Sequence, residues 1–479
     1  MELRNYQLQA LEEIREHYRN GKKKVLLKLP TGSGKTVIFC KVLKSVHDKG
    51  QKAIMVVRGK QLVDQASQRL EREGVPHGVQ MANHWRRCPD EPIQICSIDT
   101  LFRRKIVPDA HLIVIDEAHM ASSPSFRWLL DNYSDNFILG VTATPYCKCG
   151  LRHIADEMVA PISMTDLIAQ GYLVPAKYYI PSKIDLSGLA IDKKTGDYAL
   201  GPLESRMDSA ILFGDIIASY RRLGENRPAL CFAVSVAHSI HLMENFNAAG
   251  IPSAHIEADT PIEVRQKIIG ELEANRIKII CSVGTMTTGV DIPCVSCIIM
   301  ARPTKSYTLF VQSLGRGTRT FPGKENFIVL DHAANIEEHG LIENEREIDL
   351  DGKESKERKI QIVMCKQCFR AFVGTVCPSC STNKKGASSE ESSRNTETDE
   401  SVELVEVKST VDLEKARINS FVEKTIEKAR RRNYKAGWVY HQLKERFGDK
   451  HAKSQWAKIK EMLPDRPRQA SYSDHPFDE

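Results

Sequence analysis

The chain has 479 residues, of which 41% are hydrophobic and 27% charged, and its net charge is +6. These values are typical of a soluble globular protein with two or three domains. No apolar run approaches the roughly 20 residues that a membrane-spanning helix needs, and the mild positive charge is compatible with a polyanionic partner.

The N-terminal stretch, MELRNYQLQALEEI, is amphipathic and carries acidic residues, which excludes a secretory signal. The chain has 13 cysteines. Without a signal, this number predicts a reducing, cytoplasmic compartment, where thiols or metal ligands are expected in place of disulfides.

Short runs rich in Val, Ile and Leu alternate with helical patterns over residues 1–160 and again over residues 206–335. Examples are KVLLKLP, KAIMVV and LIVID in the first series, and PALCFAV, IKIICSV and NFIVLD in the second. Runs of this kind are typical of buried parallel strands. The sequence therefore predicts an α/β fold with two successive units, joined by a connector over residues 161–205.

Composition divides the rest of the chain into shorter segments. We expect a charged linker (336–360), a four-cysteine module (361–382), a disordered linker (383–410), a basic helical module (411–465) and a polar tail (466–479).

PTGSGKT follows the apolar run VLLKL and precedes the helical run VIFCKVLKSV, which is the strand–loop–helix context of a phosphate-binding loop. Gly32 and Gly34 free the backbone to surround an anion at a helix N-terminus. Lys35 supplies positive charge to the outer phosphates, and the Thr36 hydroxyl can ligate Mg²⁺. The residues expected at the nucleotide are Thr31, Gly32, Ser33, Gly34, Lys35 and Thr36. The alternative is a glycine-rich turn without a ligand.

LIVIDEAHM places two acids at the end of an apolar strand, where ligands bind in open α/β sheets. We expect Asp116 to hold Mg²⁺ and Glu117 to orient and deprotonate the attacking water. The pair favours hydrolysis over phosphoryl transfer. The alternative is two solvated acids at a helix N-terminus.

FVQSLGRGTRT lies in the second unit and predicts a helix with Gln312, Arg316 and Arg319 on one face, at spacings of three and four. Two arginines aimed at one point suit the stabilisation of charge on a transferred phosphoryl group. Hydrolysis would then require closure of the cleft between the units. The alternative is an exposed helix whose arginines make surface ion pairs.

Taken in order, PTGSGKT, DEAH, VTATP (141–145) and QxxGRxxR resemble a superfamily 2 helicase of the DEAD/DEAH-box type, over about residues 1–335. The run TTGVDIPCVSCIIMARPTKSYTLFVQSLGRGTR is most similar to RadD-like and restriction-subunit-like DNA helicases of phage or bacteria. The resemblance implies two tandem RecA-like domains that close and open on one nucleic-acid strand as ATP is hydrolysed.

The resemblance also implies roles for particular residues. LRNYQ resembles the adenine-reading motif, although the family usually has proline where Asn5 stands. VVRGKQLVDQ and SIDTL lie where the family contacts the sugar-phosphate backbone. The further residues implied at the nucleotide are Arg4, Gln7, Gly289 and Asp291, and those implied in coupling hydrolysis to the bound strand are Thr142, Thr144 and Thr288.

CKQCFRAFVGTVCPSC contains two CxxC pairs with a short hairpin expected between them. Tetrahedral zinc takes four thiolates at about 2.3 Å, and paired CxxC turns suit that geometry. We therefore predict a structural Zn²⁺ on Cys365, Cys368, Cys377 and Cys380. Redox-active pairs are the alternative.

The basic helical module mixes Lys and Arg with Trp438, Tyr440 and Trp456. Such a mixture suits a nucleic-acid or protein contact. We favour a small helical domain whose aromatic residues form its core, and its basic face stays open as a contact surface.

The sequence thus predicts an ATP-dependent helicase or translocase that uses ATP and Mg²⁺, carries Zn²⁺, and acts on DNA with a single-stranded region. Protein partners would bind through the C-terminal module. The alternatives are an RNA helicase, a duplex translocase that never separates strands, the motor subunit of a restriction complex, and a binding module with an inactive ATP site.

Overall fold

The computed structural model forms two units, Met1–Ser409 and Thr410–Glu479. No helix among its described residues is long and apolar enough to cross a membrane. The described residues are 3–147, 149–181, 189–192, 196–207, 210–287, 290–354, 362–364, 371–373, 404–407, 421–423, 425–430, 434–447 and 449–463.

Seven parallel strands form the first sheet, in the order β3-β4-β2-β5-β6-β1-β7. We call this sheet and its helices the first α/β domain. The strands are β1 (Lys24–Lys28), β2 (Ala53–Val57), β3 (Gly78–Gln80), β4 (Ile93–Ser97), β5 (Leu112–Asp116), β6 (Phe137–Thr142) and β7 (Glu157–Val159).

Helices cover both faces of the first sheet, so successive strand residues enter two different core layers. Val25 packs in the layer that contains α1, α2 and α3, whereas Leu26 packs in the layer of α4 and α5. The helices are α1 (Asn5–Arg19), α2 (Lys35–Asp48), α3 (Lys60–Arg72), α4 (Ile98–Arg104) and α5 (Pro124–Asn132), with a 3₁₀ turn at Ala118–Met120.

The second sheet also has seven strands, in the order β10-β11-β9-β12-β13-β8-β16. All its pairings are parallel except that of β16 with β8. We call this sheet and its helices the second α/β domain. Its strands are β8 (Ala176–Pro181), β9 (Ala229–Phe232), β10 (Ser253–Ile256), β11 (Ile279–Ser282), β12 (Cys297–Met300), β13 (Phe327–Asp331) and β16 (Leu404–Val407).

The two sheets confirm the prediction of two successive α/β units. The remaining helices of this part of the chain are α6 (Met164–Ala169), α7 (Leu200–Met207), α8 (Ala210–Leu223), α9 (Val236–Ala248), α10 (Ile262–Glu273), α11 (Tyr307–Leu314) and α12 (Asn335–His339). One buried apolar cluster is continuous from Val141 in the first sheet through Leu173 and Phe310 to Val329 in the second.

Three segments differ from the sequence-based expectation. The expected connector contributes α6 and β8, and β8 pairs with β13 inside the second sheet. The expected disordered linker contains β16, because the alternating residues Leu404–Val407 pair with the edge strand β8. Both pairings join segments far apart in the chain, which local composition does not predict.

The expected charged linker also contains ordered structure. Leu341, Ile342 and Leu350 are buried. The Tyr178 hydroxyl donates to the Glu343 carboxylate at 2.6 Å, and Glu345 pairs with Lys28 of the first domain at 3.2 Å. Two acids of the expected linker therefore have partners inside the structure.

The C-terminal unit is helical at residues 421–423 and 425–430 and in α13 (Ala436–Phe447) and α14 (Asp449–Met462). Its core includes Val422, Leu443 and Ile459. Trp438, Tyr440 and Trp456 are partly buried and pack against this core, and the rings of Tyr440 and Trp456 meet edge to face with centroids 5.1 Å apart.

Candidate nucleotide site between the two α/β domains

The loop between β1 and α2 has the backbone that a phosphate site requires. Gly32 and Gly34 adopt φ values of +77° and +84°, a region that residues with a Cβ rarely enter. A Cβ on Gly32 would lie 2.9 Å from the Leu173 side chain, and one on Gly34 would lie 2.8 Å from Gln7 Nε2. The loop therefore presents its backbone at the N-terminus of α2, a 14-residue helix.

The side chains of this loop are held from within the first domain. Lys35 Nζ donates to the carbonyl oxygens of Leu29 and Pro30, each at 3.3 Å, and Ser33 Oγ donates to Pro30 at 2.7 Å. Desolvation lowers the pKa of the Lys35 ammonium, and the carboxylates of Glu117 and Asp116 act against that shift. Thr36 is exposed in the first turn of α2.

Asp116 and Glu117 lie at the carboxyl end of β5, as predicted. The Glu117 amide donates to Asp116 Oδ1 at 2.9 Å, and Glu117 has a left-handed backbone with φ of 51°. Burial, and next the charge of Glu117, raise the pKa of Asp116 to about 6, although Lys35 opposes the shift. The two carboxylates and the Lys35 ammonium therefore share one electrostatic environment.

A chain of polar contacts leads from Glu117 to the second domain. His119 Nδ1 lies 3.3 Å from Glu117 Oε2 and 3.0 Å from Thr142 Oγ1. The Thr144 amide donates to Thr142 Oγ1 at 3.1 Å, and the Thr144 hydroxyl donates to the Thr308 hydroxyl at 3.2 Å. Burial lowers the pKa of His119 to about 4, so the imidazole is neutral at neutral pH.

Helix α11 brings Gln312 to the acids of the first domain. Its Nε2 donates to Glu117 Oε1 at 3.4 Å. The helix begins after Ser306, whose hydroxyl accepts from the Leu309 amide at 3.3 Å. This contact joins two residues that lie 195 positions apart in the chain.

The predicted helix through Arg316 and Arg319 is wrong, because α11 ends at Leu314. A Cβ on Gly315 would meet Thr31, and one on Gly317 would meet the Phe327 ring. These contacts require glycine and a close approach of the backbone. The chain beyond the helix then forms an antiparallel bridge between Arg319 and Leu173. Arg316 therefore lies in the turn that follows the helix, and Arg319 lies in the bridge beyond that turn.

Both arginines contact the segment around Thr287–Asp291. Arg316 donates from Nε to the Thr287 carbonyl at 3.1 Å and also donates to Val290. Arg319 donates to the Val290 carbonyl at 3.3 Å and pairs with Asp291. Burial lowers the pKa of both guanidinium groups, and the negative charge of Asp291 opposes that shift.

The residues expected at the adenine lie beside the loop. Gln7 Nε2 donates to the Ser33 carbonyl at 3.3 Å, and Gln7 Oε1 accepts from the Arg4 amide at 3.0 Å. The Arg4 guanidinium lies over the Tyr172 ring, 4.2 Å from its centroid. The Thr31 hydroxyl oxygen is buried with no hydrogen-bond partner among the described residues.

Sequence reasoning did not identify His119, Tyr172 or Thr308. His119 belongs to the DEAH tetrapeptide and could have been included on that ground. Tyr172 and Thr308 carry no local signal, because their contacts are formed only when the two domains meet.

Some predicted site residues lie outside the described part of the chain. Among the described residues, no group of three or more His, Cys, Asp or Glu side chains is arranged to hold a metal ion. Strand β14 (Ile362–Met364) precedes the first CxxC pair in the sequence, and strand β15 (Ala371–Val373) follows it. The two strands pair antiparallel. The residues outside the described ranges are Thr288, Gly289, Cys365, Cys368, Cys377 and Cys380.

The fold and the site together define a nucleotide-binding protein with two α/β domains that meet at a phosphate loop. Residues 1–147 match the family model of the type III restriction enzyme res subunit. Residues 213–320 match the model of the helicase conserved C-terminal domain. Taken in this order, the two matches are those of a superfamily 2 helicase with restriction-subunit-like relatives, which confirms the predicted resemblance.

Among curated relatives, a Lactococcus phage (isolate 7-9) protein named for its 51.5 kDa mass is 29% identical over 72% of this chain and 73% of its own length. The Saccharomyces cerevisiae protein named ATP-dependent helicase IRC3 is 28% identical over 69% of this chain. The chain spans only 51% of that yeast protein.

Among solved structures, a fragment of an HsdR-type subunit of a type I restriction enzyme from Vibrio vulnificus is 20% identical, with a TM-score of 0.55. The likeness covers 73% of this chain and 70% of that fragment, and at this identity it concerns the fold alone. The two parallel-sheet domains are consistent with the tandem RecA-like fold.

Proposed function

We propose that the chain hydrolyses ATP between its two α/β domains and uses the cycle to move along DNA that has a single-stranded region. The observation that carries the proposal is the contact of Gln312 with Glu117. It joins the second domain to the carboxylate best placed to activate water, so the chemistry and the relative position of the domains can depend on each other.

The phosphate loop is the proposed site of the ATP phosphates. Backbone amides at the start of α2 and the Lys35 ammonium would bind the phosphate oxygens. Arg4, Gln7 and Tyr172 would lie beside the base. The unpartnered Thr31 hydroxyl is a further group that a bound polar ligand would satisfy.

The donor set at the strand end fits a hard divalent cation. Carboxylate and hydroxyl oxygens, as in Asp116 and Thr36, are ligands that Mg²⁺ prefers. When bound, Mg²⁺ would neutralise charge on the phosphates. Glu117 would accept the proton of the attacking water, and its contacts with Gln312 and His119 would hold the carboxylate in place.

Arg316 and Arg319 are the proposed stabilisers of charge that develops on the transferred phosphoryl group. Their guanidinium groups bond to backbone carbonyls and to Asp291. We expect them to exchange these partners for phosphate oxygens during hydrolysis. Such an exchange would change the segment around residues 287–291, which includes Thr288 and Gly289.

The contacts from Glu117 through His119, Thr142 and Thr144 to Thr308 are the proposed coupling route. They connect the acid at β5 to the first turn of α11. A change in the hydrogen bonds of Glu117 would therefore be felt by the helix that carries Gln312. Movement of the second domain against the first is the expected consequence.

The choice of DNA is supported by the match of residues 1–147 to the family model of a restriction-enzyme res subunit. Contacts from the loops after β2 and β4 would hold the sugar-phosphate backbone, so binding should be independent of sequence and weaken with salt.

We also propose that Cys365, Cys368, Cys377 and Cys380 bind one structural Zn²⁺. Metal analysis of the purified chain, with a Cys377→Ser, Cys380→Ser control, tests the zinc site.

Steady-state ATP hydrolysis tests the proposed function most directly. Rates would be measured alone and with single-stranded or duplex DNA or RNA, at two salt concentrations, with Lys35→Ala as the inactive control. We expect strong stimulation by DNA that weakens with salt. Equal stimulation by RNA would overturn the choice of DNA, and wild-type turnover in Lys35→Ala would overturn the site.

A second candidate is the motor subunit of a restriction complex, which translocates without separating strands. The match of residues 1–147 to a restriction-enzyme res subunit favours it. DNA-stimulated hydrolysis without displacement of a labelled strand, together with displacement of a bound protein roadblock, would support this candidate over the helicase.

A further inference from the structure

The loop between β3 and β4 presents an exposed aromatic side chain that the nucleotide site does not use. Trp85 is 78% exposed, the highest value among the large hydrophobic side chains that the structure describes. Tryptophan is strongly buried on average because its ring contributes a large apolar area. An indole held in solvent therefore indicates a contact that the isolated chain does not make.

The residues on both sides of Trp85 are fixed. His84 is buried, its Nε2 lies 3.1 Å from Asp64 Oδ1, and its Nδ1 accepts from the Arg86 amide at 3.1 Å. The Arg86 guanidinium pairs with Glu71 at 2.5 Å and lies 4.6 Å from the Trp85 ring centroid. The exposure of the indole is thus built into a rigid loop.

The path of the loop places Trp85 at the carboxyl edge of the first sheet. The Val79 amide of β3 donates to the Arg86 carbonyl at 2.9 Å. Gln94 Nε2 of β4 donates to the Cys88 carbonyl at 2.8 Å. The chain after Trp85 therefore returns beside β3 towards the amino end of β4, which leaves the indole at the opposite end of the strands.

This edge is the one at which α3 begins. Asp64, the partner of His84, lies in α3, which follows the carboxyl end of β2. The exposed Lys60 starts that helix. Trp85 is therefore close to the loop after β2, where the proposed function places contacts with a nucleic-acid backbone.

The charges beside the indole favour an anionic partner. Arg87 is exposed next to Trp85, and Lys60 is exposed on the neighbouring helix. Two acids of α3 already have partners in this loop, since Asp64 contacts His84 and Glu71 contacts Arg86. An exposed aromatic ring accompanied by exposed cations is the combination that takes a nucleobase and its phosphates.

We propose that Trp85 stacks on a base of a single nucleic-acid strand at the carboxyl edge of the first sheet, and that Arg87 contacts a neighbouring phosphate. The inference rests on the proposed function and adds a specific base-contacting residue to it. Because every base has a π-face, the contact accepts any sequence, and both DNA and RNA strands can make it.

Fluorescence anisotropy with labelled single-stranded DNA and RNA of equal sequence tests the site. Trp85→Ala should weaken binding by about 5- to 150-fold, the range for loss of one stacked base. Trp85→Phe should restore most of the affinity because the ring face is kept. Arg87→Gln should lower the slope of log K against log salt by about one, whereas Trp85→Ala should leave that slope unchanged.

Val107→Ala is the matched control. Val107 is 43% exposed in the segment that precedes β5, at the amino edge of the same sheet, so its loss should leave binding unchanged. Photocrosslinking with 5-iodouracil oligonucleotides should attach the base to the peptide that contains Trp85. Attachment of both DNA and RNA is expected, and the absence of this crosslink with both would contradict the stack.

Two outcomes would overturn the inference separately from the proposed function. If Trp85→Ala bound single strands as tightly as the wild type, the stacking site would be ruled out and the motor assignment would stand. Weak binding in both Trp85→Ala and Trp85→Phe, with lowered melting temperatures in both, would show a structural role for the indole. Failure of the wild type to bind either strand would remove the proposed function and the site together.

Discussion

The first and second α/β domains contribute to the candidate site in different ways. Lys35, Asp116 and Glu117 of the first domain lie at strand ends and at a helix start, so their positions follow from short stretches of sequence. Arg316 and Arg319 of the second domain lie beyond the end of α11, and their guanidinium groups contact backbone carbonyls and Asp291.

This difference separates side chains that consecutive residues position from side chains that contacts with distant segments position. The first set can bind phosphate whenever the first domain is folded. The chain that carries the second set approaches Thr31 closely at Gly315 and Phe327 closely at Gly317. Substitutions in the first set should therefore affect a site that the first domain forms alone, whereas those in the second should affect turnover only when the two domains are together.

The largest effect is expected from Glu117→Gln. Loss of the base should lower kcat by about 10²- to 10⁴-fold, the usual contribution of a general base. Because the amide keeps the shape of the carboxylate, binding of a fluorescent ATP analogue should change little. Steady-state turnover and equilibrium titration measure the two quantities, and near-normal kcat would contradict the assignment of Glu117.

Arg319→Ala should have the next largest effect, with kcat lowered by about 100-fold and ATP affinity changed by only a few-fold. The loss is expected in turnover because the guanidinium would act on charge that develops during the reaction. Arg222→Ala, an exposed arginine of α8, is a control outside the site. Weaker ATP binding with normal turnover at saturation would refute the role.

Thr308→Val tests the coupling route at the border of the domains. The isosteric change removes the hydroxyl bonded to Thr144, a contact of about 1 kcal/mol. We expect nucleic-acid stimulation of ATP hydrolysis to fall by roughly fivefold. Thr165→Val removes another hydroxyl contact between distant segments, to the Glu343 carbonyl at 3.3 Å, and should leave the stimulation ratio unchanged. An equal loss of stimulation in both variants would contradict a specific coupling role for Thr308, because it would follow from loss of any hydroxyl contact between distant segments.

The same division explains which features the sequence predicted. The phosphate loop and the acids after β5 were predicted because each depends on consecutive residues and on one strand-to-helix or strand-to-turn transition. The path of the chain after α11, by contrast, brings Gly315 against Thr31 and Gly317 against Phe327, and these contacts exist only in the folded chain. No periodicity in FVQSLGRGTRT contains that information.

Edge pairing and burial of acids escaped prediction for a related reason. β8 and β16 are joined side by side although more than 200 residues separate them. Glu343 and Glu345 look like solvated linker acids until Tyr178 and Lys28 come within reach. Composition reports the average preference of a segment, whereas these contacts depend on which distant partner the fold supplies.

The smallest effect expected is a pH dependence that arises in the first domain alone. Burial and Glu117 raise the pKa of Asp116 to about 6 in the folded chain. Because the ionised form is needed to bind Mg²⁺, protonation opposes metal-dependent nucleotide binding as the pH falls through that value. The ionised fraction of Asp116 drops from about nine-tenths at pH 7 to about one-quarter at pH 5.5, so the affinity for Mg²⁺-nucleotide should fall by about fourfold.

Titration of a fluorescent nucleotide with and without Mg²⁺ measures the change. Asp116→Asn should bind Mg²⁺-nucleotide weakly at both pH values, and a wild-type affinity that rises on acidification would contradict the assignment of the titrating group.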